Sequence, residues 1–165
     1  WAAKVQLPQG SDYGRADPGV RQASAQWQAE GVTGLGGQPL PAMPDASIFL
    51  PAGARGPAFV IGPNFRAILR YNNSTNYALA VGLLAQRIAG GPGVQAAWPR
   101  DVLPLSRTQV SARQEGLTAG GLHAGPADGA MGPATRSAVR RFQQRLGLPA
   151  DGYPTLELLD RLRAP

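Results

Sequence analysis

The sequence predicts an α+β unit with a small antiparallel sheet over residues 1–89, a linker at 90–104, and an all-α three-helix unit over 105–165. Three observations carry that expectation. Apolar runs of strand length, 46–50 and 58–61, lie in the first half, and helical periodicity fills the second. Between them, Gly90-Gly91-Pro92-Gly93 halts a helix with φ-permissive glycines, and the proline-punctuated 98–104 reads as a connector. Charge does not mark the boundary: the net charge of +6 divides into +3 for 1–104 and +3 for 105–165.

Taken in order, Val5-Gln6-Leu7 is a short extended segment ending at Pro8. Asp17-Pro18 supplies an N-cap and a first helical residue, so a helix is expected to run to about Glu30, with Val20, Ala23 and Trp27 on one face and Gly31 after its end. Trp27 is then a core anchor. Residues 31–45, rich in Gly and Pro, are expected as loop, and 46–50 with 58–61 as a hairpin with a wide turn. Asn64 is placed to cap a short helix carrying Phe65, Ile68 and Leu69 that stops at Tyr71-Asn72-Asn73. Ser74 then caps a helix with Tyr77, Ala78, Val81, Leu84, Ala85 and Ile88 on one face, wide enough to make that face core.

In the second half Ser106 caps a helix carrying Val110, Gln114 and Leu117, which ends at Gly120. Pro133 opens a second with Ala138, Val139, Phe142 and Leu146, and Thr155 caps a third with Leu158, Leu159 and Leu162. An echo links them: Asp128-Gly129 with Thr135 precedes the second helix, and Asp151-Gly152 with Thr155 the third. Asp-Gly forms a tight turn, the Asp bonding nearby amides and the Gly taking positive φ, after which the Thr is expected to cap. On physical grounds this repeated device is structural.

Composition narrows the function classes. Cysteine is absent, which excludes disulfides and cysteine-ligated zinc, and the single His123 cannot build a histidine metal site. His123 itself reads as an exposed loop residue. No apolar run approaches the ~20 residues of a membrane-spanning helix, and the N-terminus lacks the zones of a signal peptide. Trp1-Ala2-Ala3-Lys4 suggests a chain cut from something longer. Positive charge suits an acidic partner, whether nucleic acid, anionic membrane or a carboxylate-bearing cell wall. Yet 15 of the 16 cations are Arg and are spread over both halves, and no nucleic-acid motif or basic stripe interleaved with aromatics accompanies them. Nucleic acid is not expected as a partner.

Two motif sets are more specific. Gly56-Pro57-Ala58-Phe59-Val60-Ile61-Gly62-Pro63-Asn64-Phe65, followed by Ile68-Leu69-Arg70-Tyr71-Asn72-Asn73-Ser74-Thr75-Asn76-Tyr77-Ala78-Leu79-Ala80-Val81, resembles the end of the catalytic domain in the membrane-bound lytic transglycosylase B family. Gln114-x-x-Leu117, Asp128-Gly129-x-x-Gly132-x-x-Thr135, Ala138-Val139-x-x-Phe142-Gln143 and Asp151-Gly152 resemble the family-one peptidoglycan-binding domain. Together the resemblances cover nearly the whole chain, and each supports the other.

The resemblance implies the C-terminal portion of a lysozyme-like catalytic domain followed by a peptidoglycan-binding domain. It implies cleavage of the β-1,4 bond between N-acetylmuramic acid and N-acetylglucosamine, with the muramyl C6 hydroxyl attacking C1 to leave a 1,6-anhydro end. One glutamate acts first as acid and then as base, so no metal or organic cofactor enters. In the family that glutamate lies well before the point matching Trp1, so this chain is expected to contain no catalytic residue and to be silent alone. Glu30, Glu115 and Glu157 do not match it and read as solvated. The residues carried over are Tyr71, Asn72 and Tyr77 as substrate-binding, with Tyr77 equally a candidate core aromatic. Asp128, Gly129, Gly132 and Thr135 form the binding-domain motif. Implied partners are peptidoglycan glycan strands and the N-terminal segment of the same enzyme, covalently joined or as a separate chain, in the periplasm or envelope of a Gram-negative bacterium. The competing expectation is a non-catalytic peptidoglycan-binding fragment in which 105–165 does the work. Arg113 stands where relatives carry more apolar residues.

Overall fold

The computed structural model describes residues 1–72, 74–94, 97–100 and 105–163. Asn73 and linker positions 95–96 and 101–104 lie outside the described residues, as does the side chain of Leu159. The chain divides into two compact units, Trp1–Trp98 and Pro99–Pro165.

The first unit is built on four antiparallel strands in the order β2-β1-β4-β3: β1 Ala2–Gln6, β2 Thr33–Gly34, β3 Ser47–Phe49 and β4 Ala58–Ile61. Val60 pairs with Ala3 on one side and Ile48 on the other, fixing the register of the three longer strands. Side chains of successive strand residues point to opposite faces, and here both faces are covered. Val5, Ile48 and Val60 pack with Trp27, Val32, Leu40 and Ala46. Phe49, Phe59 and Ile61 pack with Phe65, Ala78 and Leu79. Two-sided burial explains why 46–50 and 58–61 are continuous apolar runs without polar alternation.

Three helices complete this unit: α1 Ser24–Ala29, α2 Pro63–Tyr71 and α3 Thr75–Ile88. α1 is shorter than the Asp17-Pro18 signal implies. Asp17 instead accepts the Gly19 N–H in a turn at 2.8 Å, and Gln22 forms a bridge to Ala46 that holds the chain extended. Ser24 then receives the Met43 N–H at 2.9 Å and gives its own N–H to the Met43 carbonyl. Pairing with a distant segment overrides the local start signal. Trp27 is the core anchor, 4% exposed, with its indole N–H on the Ala46 carbonyl at 3.1 Å. α2 is not capped by Asn64; Gly62 precedes it and Pro63 occupies its first turn, where a missing N–H costs nothing.

The buried face of α3 also differs from the expected stripe. Ala78, Leu79 and Gly82 are buried, whereas Leu84 and Ile88 are 62% and 79% exposed. The rotation has a cause at Gly82: a Cβ there would sit 2.2 Å from the Trp1 ring, so the indole lies flat on the helix where only glycine leaves room.

The second unit is α4 Arg107–Ala119, α5 Pro133–Arg145 and α6 Leu156–Arg163 around Leu117, Leu122, Ala124, Ala138, Val139 and Leu158. Ser106 and Gln109 form a reciprocal capping box at the start of α4. Arg141 and Arg145 donate to the Leu122 and Gly120 carbonyls at 2.9 and 3.1 Å, placing two cations at the C-terminal end of α4, where the helix dipole favours them. Arg113 is fully buried, its guanidinium on the Thr155 carbonyl. Burial lowers its pKa to about 10 against the opposing pull of Asp160. Among the described residues, no helix is long and apolar enough to cross a membrane.

Candidate functional site

The break between α2 and α3 brings Tyr71, Asn72 and Tyr77 together. α2 ends because Asn72 turns to φ −139°, ψ 113°, while its N–H still reaches the Ile68 carbonyl at 3.0 Å. Ser74 restarts the helix: its N–H bonds the Asn72 carbonyl at 2.7 Å, and its Oγ accepts the Tyr77 N–H at 3.3 Å. Tyr71 on the last turn of one helix and Tyr77 on the first turn of the next therefore lie with ring centroids 6.3 Å apart, tilted by 33°.

Tyr71 is 84% exposed and Tyr77 39%, so Tyr77 is not a core aromatic. Asn72 is exposed, and its side chain enters no hydrogen bond among the described residues. Two ring faces, two phenolic hydroxyls and a carboxamide unbonded among the described residues are thus offered outward by a pair of helix ends. Such a surface gives an apolar sugar face something to stack on and its hydroxyl and acetamido groups donors and acceptors.

Glu30 is elsewhere. It rims a cavity of about 350 Å³ whose walls include Leu7, Asp12, Arg15, Trp27 and Ile48, and none of Tyr71, Asn72 and Tyr77 lines it. Arg15 lies over the Trp27 ring at 4.8 Å and bonds both Glu30 carboxylate oxygens at 2.8 and 3.3 Å. Hydrogen bonding from Arg15 holds the Glu30 carboxyl below its usual pKa, with Gln22 adding to the effect. A general acid at neutral pH needs the opposite shift, so Glu30 is unsuited to protonate a leaving group. Glu30 is therefore an ion-paired rim residue, not simply a solvated one. Glu115 is exposed, and Glu157 pairs with Arg161 one turn on at 2.9 Å.

Three members of the binding-domain motif, Asp128, Gly129 and Thr135, are also gathered in space, on the Gln114 side chain. The Gln114 carboxamide donates to Asp128 Oδ1 at 3.1 Å, the Ala130 carbonyl at 3.0 Å and Thr135 Oγ1 at 3.0 Å, and accepts the Gly129 N–H at 2.9 Å. Asp128 also accepts the Ala130 N–H at 2.8 Å. That amide bond, then Gln114, depresses the Asp128 pKa. Thr135 does not cap α5: its hydroxyl turns inward to the Ala124 carbonyl at 2.8 Å, and Gly132 holds the cap position without a side-chain bond. Gly129 combines φ +74° with a Cβ position only 2.3 Å from Arg107 Cγ, so glycine is required twice over.

The same clamp recurs. Gln143 donates to Asp151 Oδ1 at 2.7 Å and accepts the Gly152 N–H at 2.8 Å, while Asp151 accepts the Tyr153 N–H at 2.8 Å. Here Thr155 does cap, accepting the Leu158 N–H at 3.3 Å. The Asp-Gly echo in the sequence is thus a repeated glutamine-to-turn clamp, with each turn folded onto the helix before it.

Comparison with known proteins accords with this architecture. Residues 1–86 match the family model for the Transglycosylase SLT domain, and 106–162 match the "Putative peptidoglycan binding domain" model. The chain belongs to the Transglycosylase SLT domain family. It is similar to SltB3 from Pseudomonas aeruginosa in two crystal structures. In the complex with NAG-anhNAM-pentapeptide the identity is 51%, the TM-score 0.95, and 99% of this chain aligns with 44% of that one. In the complex with NAG-NAM-pentapeptide the identity is 52%, with the same TM-score and coverage. The chain therefore spans less than half the length of these relatives. Comparison with the curated proteins gives no match.

Two arrangements escaped the sequence reading. The Arg15–Trp27–Glu30 cluster joins the turn at Tyr13–Arg15 to α1 and its C-terminal cap, and nothing in their spacing announces it. Arg66 and Arg70, four apart on α2, did carry a signal, two cations one turn apart beside the Tyr-Asn motif; Asp45, the partner of Arg66, and Arg21 across the same pocket carried none.

Proposed function

We propose that this chain is part of a lytic murein transglycosylase of the membrane-bound lytic transglycosylase B type, supplying one wall of the substrate cleft and a wall-binding module. The observation that carries the reading is the outward-facing Tyr71–Asn72–Tyr77 surface, 84% exposed at Tyr71 and held by two helix ends. The full reaction cleaves the MurNAc-β-1,4-GlcNAc bond. A glutamate from the longer protein gives its proton to the glycosidic oxygen, then takes the proton of the muramyl C6 hydroxyl as that oxygen bonds to C1, leaving a 1,6-anhydro end. The greater length of the SltB3 chains, and the ion-paired or exposed state of the three glutamates discussed above, support placing that acid outside these 165 residues. Tyr71 stacks on a sugar ring, Asn72 bonds an acetamido or hydroxyl group, and Tyr77 closes the platform.

Residues 105–165 serve as the peptidoglycan-binding domain. Asp128, Gly129 and Thr135 shape it through the clamp on Gln114, and Gly132 through the start of α5, rather than by touching the ligand. The location that follows is the periplasm or cell envelope of a Gram-negative bacterium.

The test uses purified sacculi. The isolated chain is expected to be retained on them and to release no 1,6-anhydromuropeptides. Release of such products by the chain alone contradicts the placement of the acid. Equal retention of residues 1–104 and of the whole chain contradicts the role of the second unit.

A further inference from the structure

We propose that the first unit carries an anion pocket, next in the chain to the sugar-facing residues, that takes the carboxylates of an acidic peptide. This deepens the reading above and rests on it for the identity of the peptide as the stem borne by the muramyl sugar. The pocket, about 490 Å³, has Arg21, Asp45, Arg66, Leu69 and Arg70 among its walls.

Its charges do not balance. Arg66 is 9% exposed and fixed in place, with one nitrogen 2.8 Å from the Asp45 carboxylate, another on Ser47 Oγ at 3.1 Å, and a further bond to the Asp45 carbonyl. Arg21 approaches the same carboxylate only at 3.8 Å. Arg70 lies one turn beyond Arg66 on α2, exposed, and engages in no hydrogen bond or ion pair among the described residues. Two guanidiniums therefore share one carboxylate, and a third, Arg70, stands beside them without one among the described residues.

A guanidinium fork matches a carboxylate in two parallel hydrogen bonds and keeps its charge at any physiological pH. Arg66 is already satisfied, which leaves Arg21 and Arg70 as the arms that close on an incoming anion across a positive floor. The apolar parts of the wall, Pro18 and Leu69, suit the aliphatic body of an amino acid better than a fully hydrated phosphate. Arg70 directly precedes Tyr71 and Asn72 at the end of α2, and the acidic substituent of a sugar resting on those residues is the group assigned to this pocket. The pentapeptide in the SltB3 complexes is a ligand of that kind.

The experiment titrates the 165-residue chain with three probes: an acidic stem-type pentapeptide, the same peptide with its carboxylates amidated, and a neutral N-acetylglucosamine oligomer. Variants are Arg21→Gln, Arg70→Gln and the double substitution, with circular dichroism confirming the fold; Arg66 is left intact because it is structural. Affinity for the acidic peptide is expected to fall roughly tenfold in each single variant, to vanish in the double, and to weaken between about 50 and 200 mM salt. Oligomer affinity is expected to stay unchanged. Equal binding of acidic and amidated peptides, no binding of the acidic peptide by the native chain, or equal binding by native and doubly substituted chains overturns the proposal. Displacement of the peptide by inorganic phosphate at lower concentration than by acetate overturns the carboxylate assignment. Because the neutral oligomer can engage Tyr71, Asn72 and Tyr77 or the second unit but offers no carboxylate to the pocket, its failure to bind while the acidic peptide binds sinks the cleft reading and leaves the pocket standing.

Discussion

The first unit turns its signature residues out to solvent, and the second ties its own to a side chain within it. In the first, Tyr71, Asn72 and Tyr77 project from a helix break, and the Asn72 side chain bonds nothing else described. In the second, Asp128 Oδ1, the Gly129 N–H and the Thr135 hydroxyl converge on Gln114 and are occupied by that contact and its neighbours. Both sets are equally recognisable as sequence motifs. The difference teaches that a motif can mark ligand contact or a fold-determining clamp, and that bonding state separates the two: a residue whose hydrogen bonds are spent internally shapes a site without touching its ligand.

Substitutions should split along the same line. The largest effect on stability is expected at Gly129. Gly129→Ala puts a Cβ 2.6 Å from the Arg107 carbonyl oxygen, main chain that cannot swing aside, at φ +74°. A loss of about 3 kcal/mol or more is expected by denaturant titration. Gly121→Ala, at φ +75° with nothing within 4 Å, should lose only about 1 kcal/mol. Equal losses would remove close packing as the reason for Gly129.

Next, Gln114→Ala strips partners from Asp128, Gly129 and Thr135 and should cost about 2–3 kcal/mol. Gln143→Ala, with fewer bonds to lose, should cost less by the same measurement. Gly82→Ala is expected to cost about 1–2 kcal/mol by displacing the Trp1 indole, and a changed Trp fluorescence spectrum should report it.

The smallest effect is acid sensitivity. Asp128 has a depressed folded pKa, so its contribution is complete above the unfolded carboxyl value of 3.8 and is lost as pH falls through the folded one. Melting followed from about pH 5 to about pH 2 should show a component that Asp128→Asn flattens. A slope unchanged by that substitution would place the acid sensitivity on other carboxylates.

Much of this was legible beforehand, for identifiable reasons. Strands β3 and β4 were, because a sheet buried on both faces needs unbroken apolar runs. So were the Ser74, Ser106 and Thr155 caps, because capping is local chemistry. Apart from the cap of α2, which falls to Gly62 and not to Asn64, the misses involve distant partners. Asp17-Pro18 resembles a helix start until Gln22 is claimed by Ala46 and Ser24 by Met43. Thr135 resembles a cap until Ala124 and Gln114 take its hydroxyl. The apolar stripe Tyr77–Leu84–Ile88 resembles core until Trp1 settles on Gly82 and turns Ala78 and Leu79 inward. Within the candidate site, Tyr71 and Asn72 were legible as motif residues at a helix break, but the pairing of the Tyr71 and Tyr77 rings was not. It follows from where α2 breaks, and from Ser74 restarting the helix so that the two rings come together.

The decisive measurement is a titration of the native chain and of Tyr71→Ala and Asn72→Ala with a neutral peptidoglycan glycan oligomer, alongside their denaturation midpoints. Because Tyr71 and Asn72 face outward, stability should stay within about 0.5 kcal/mol while glycan affinity falls about tenfold or more in each. Unchanged affinity in both variants would contradict the assignment of this surface to sugar binding.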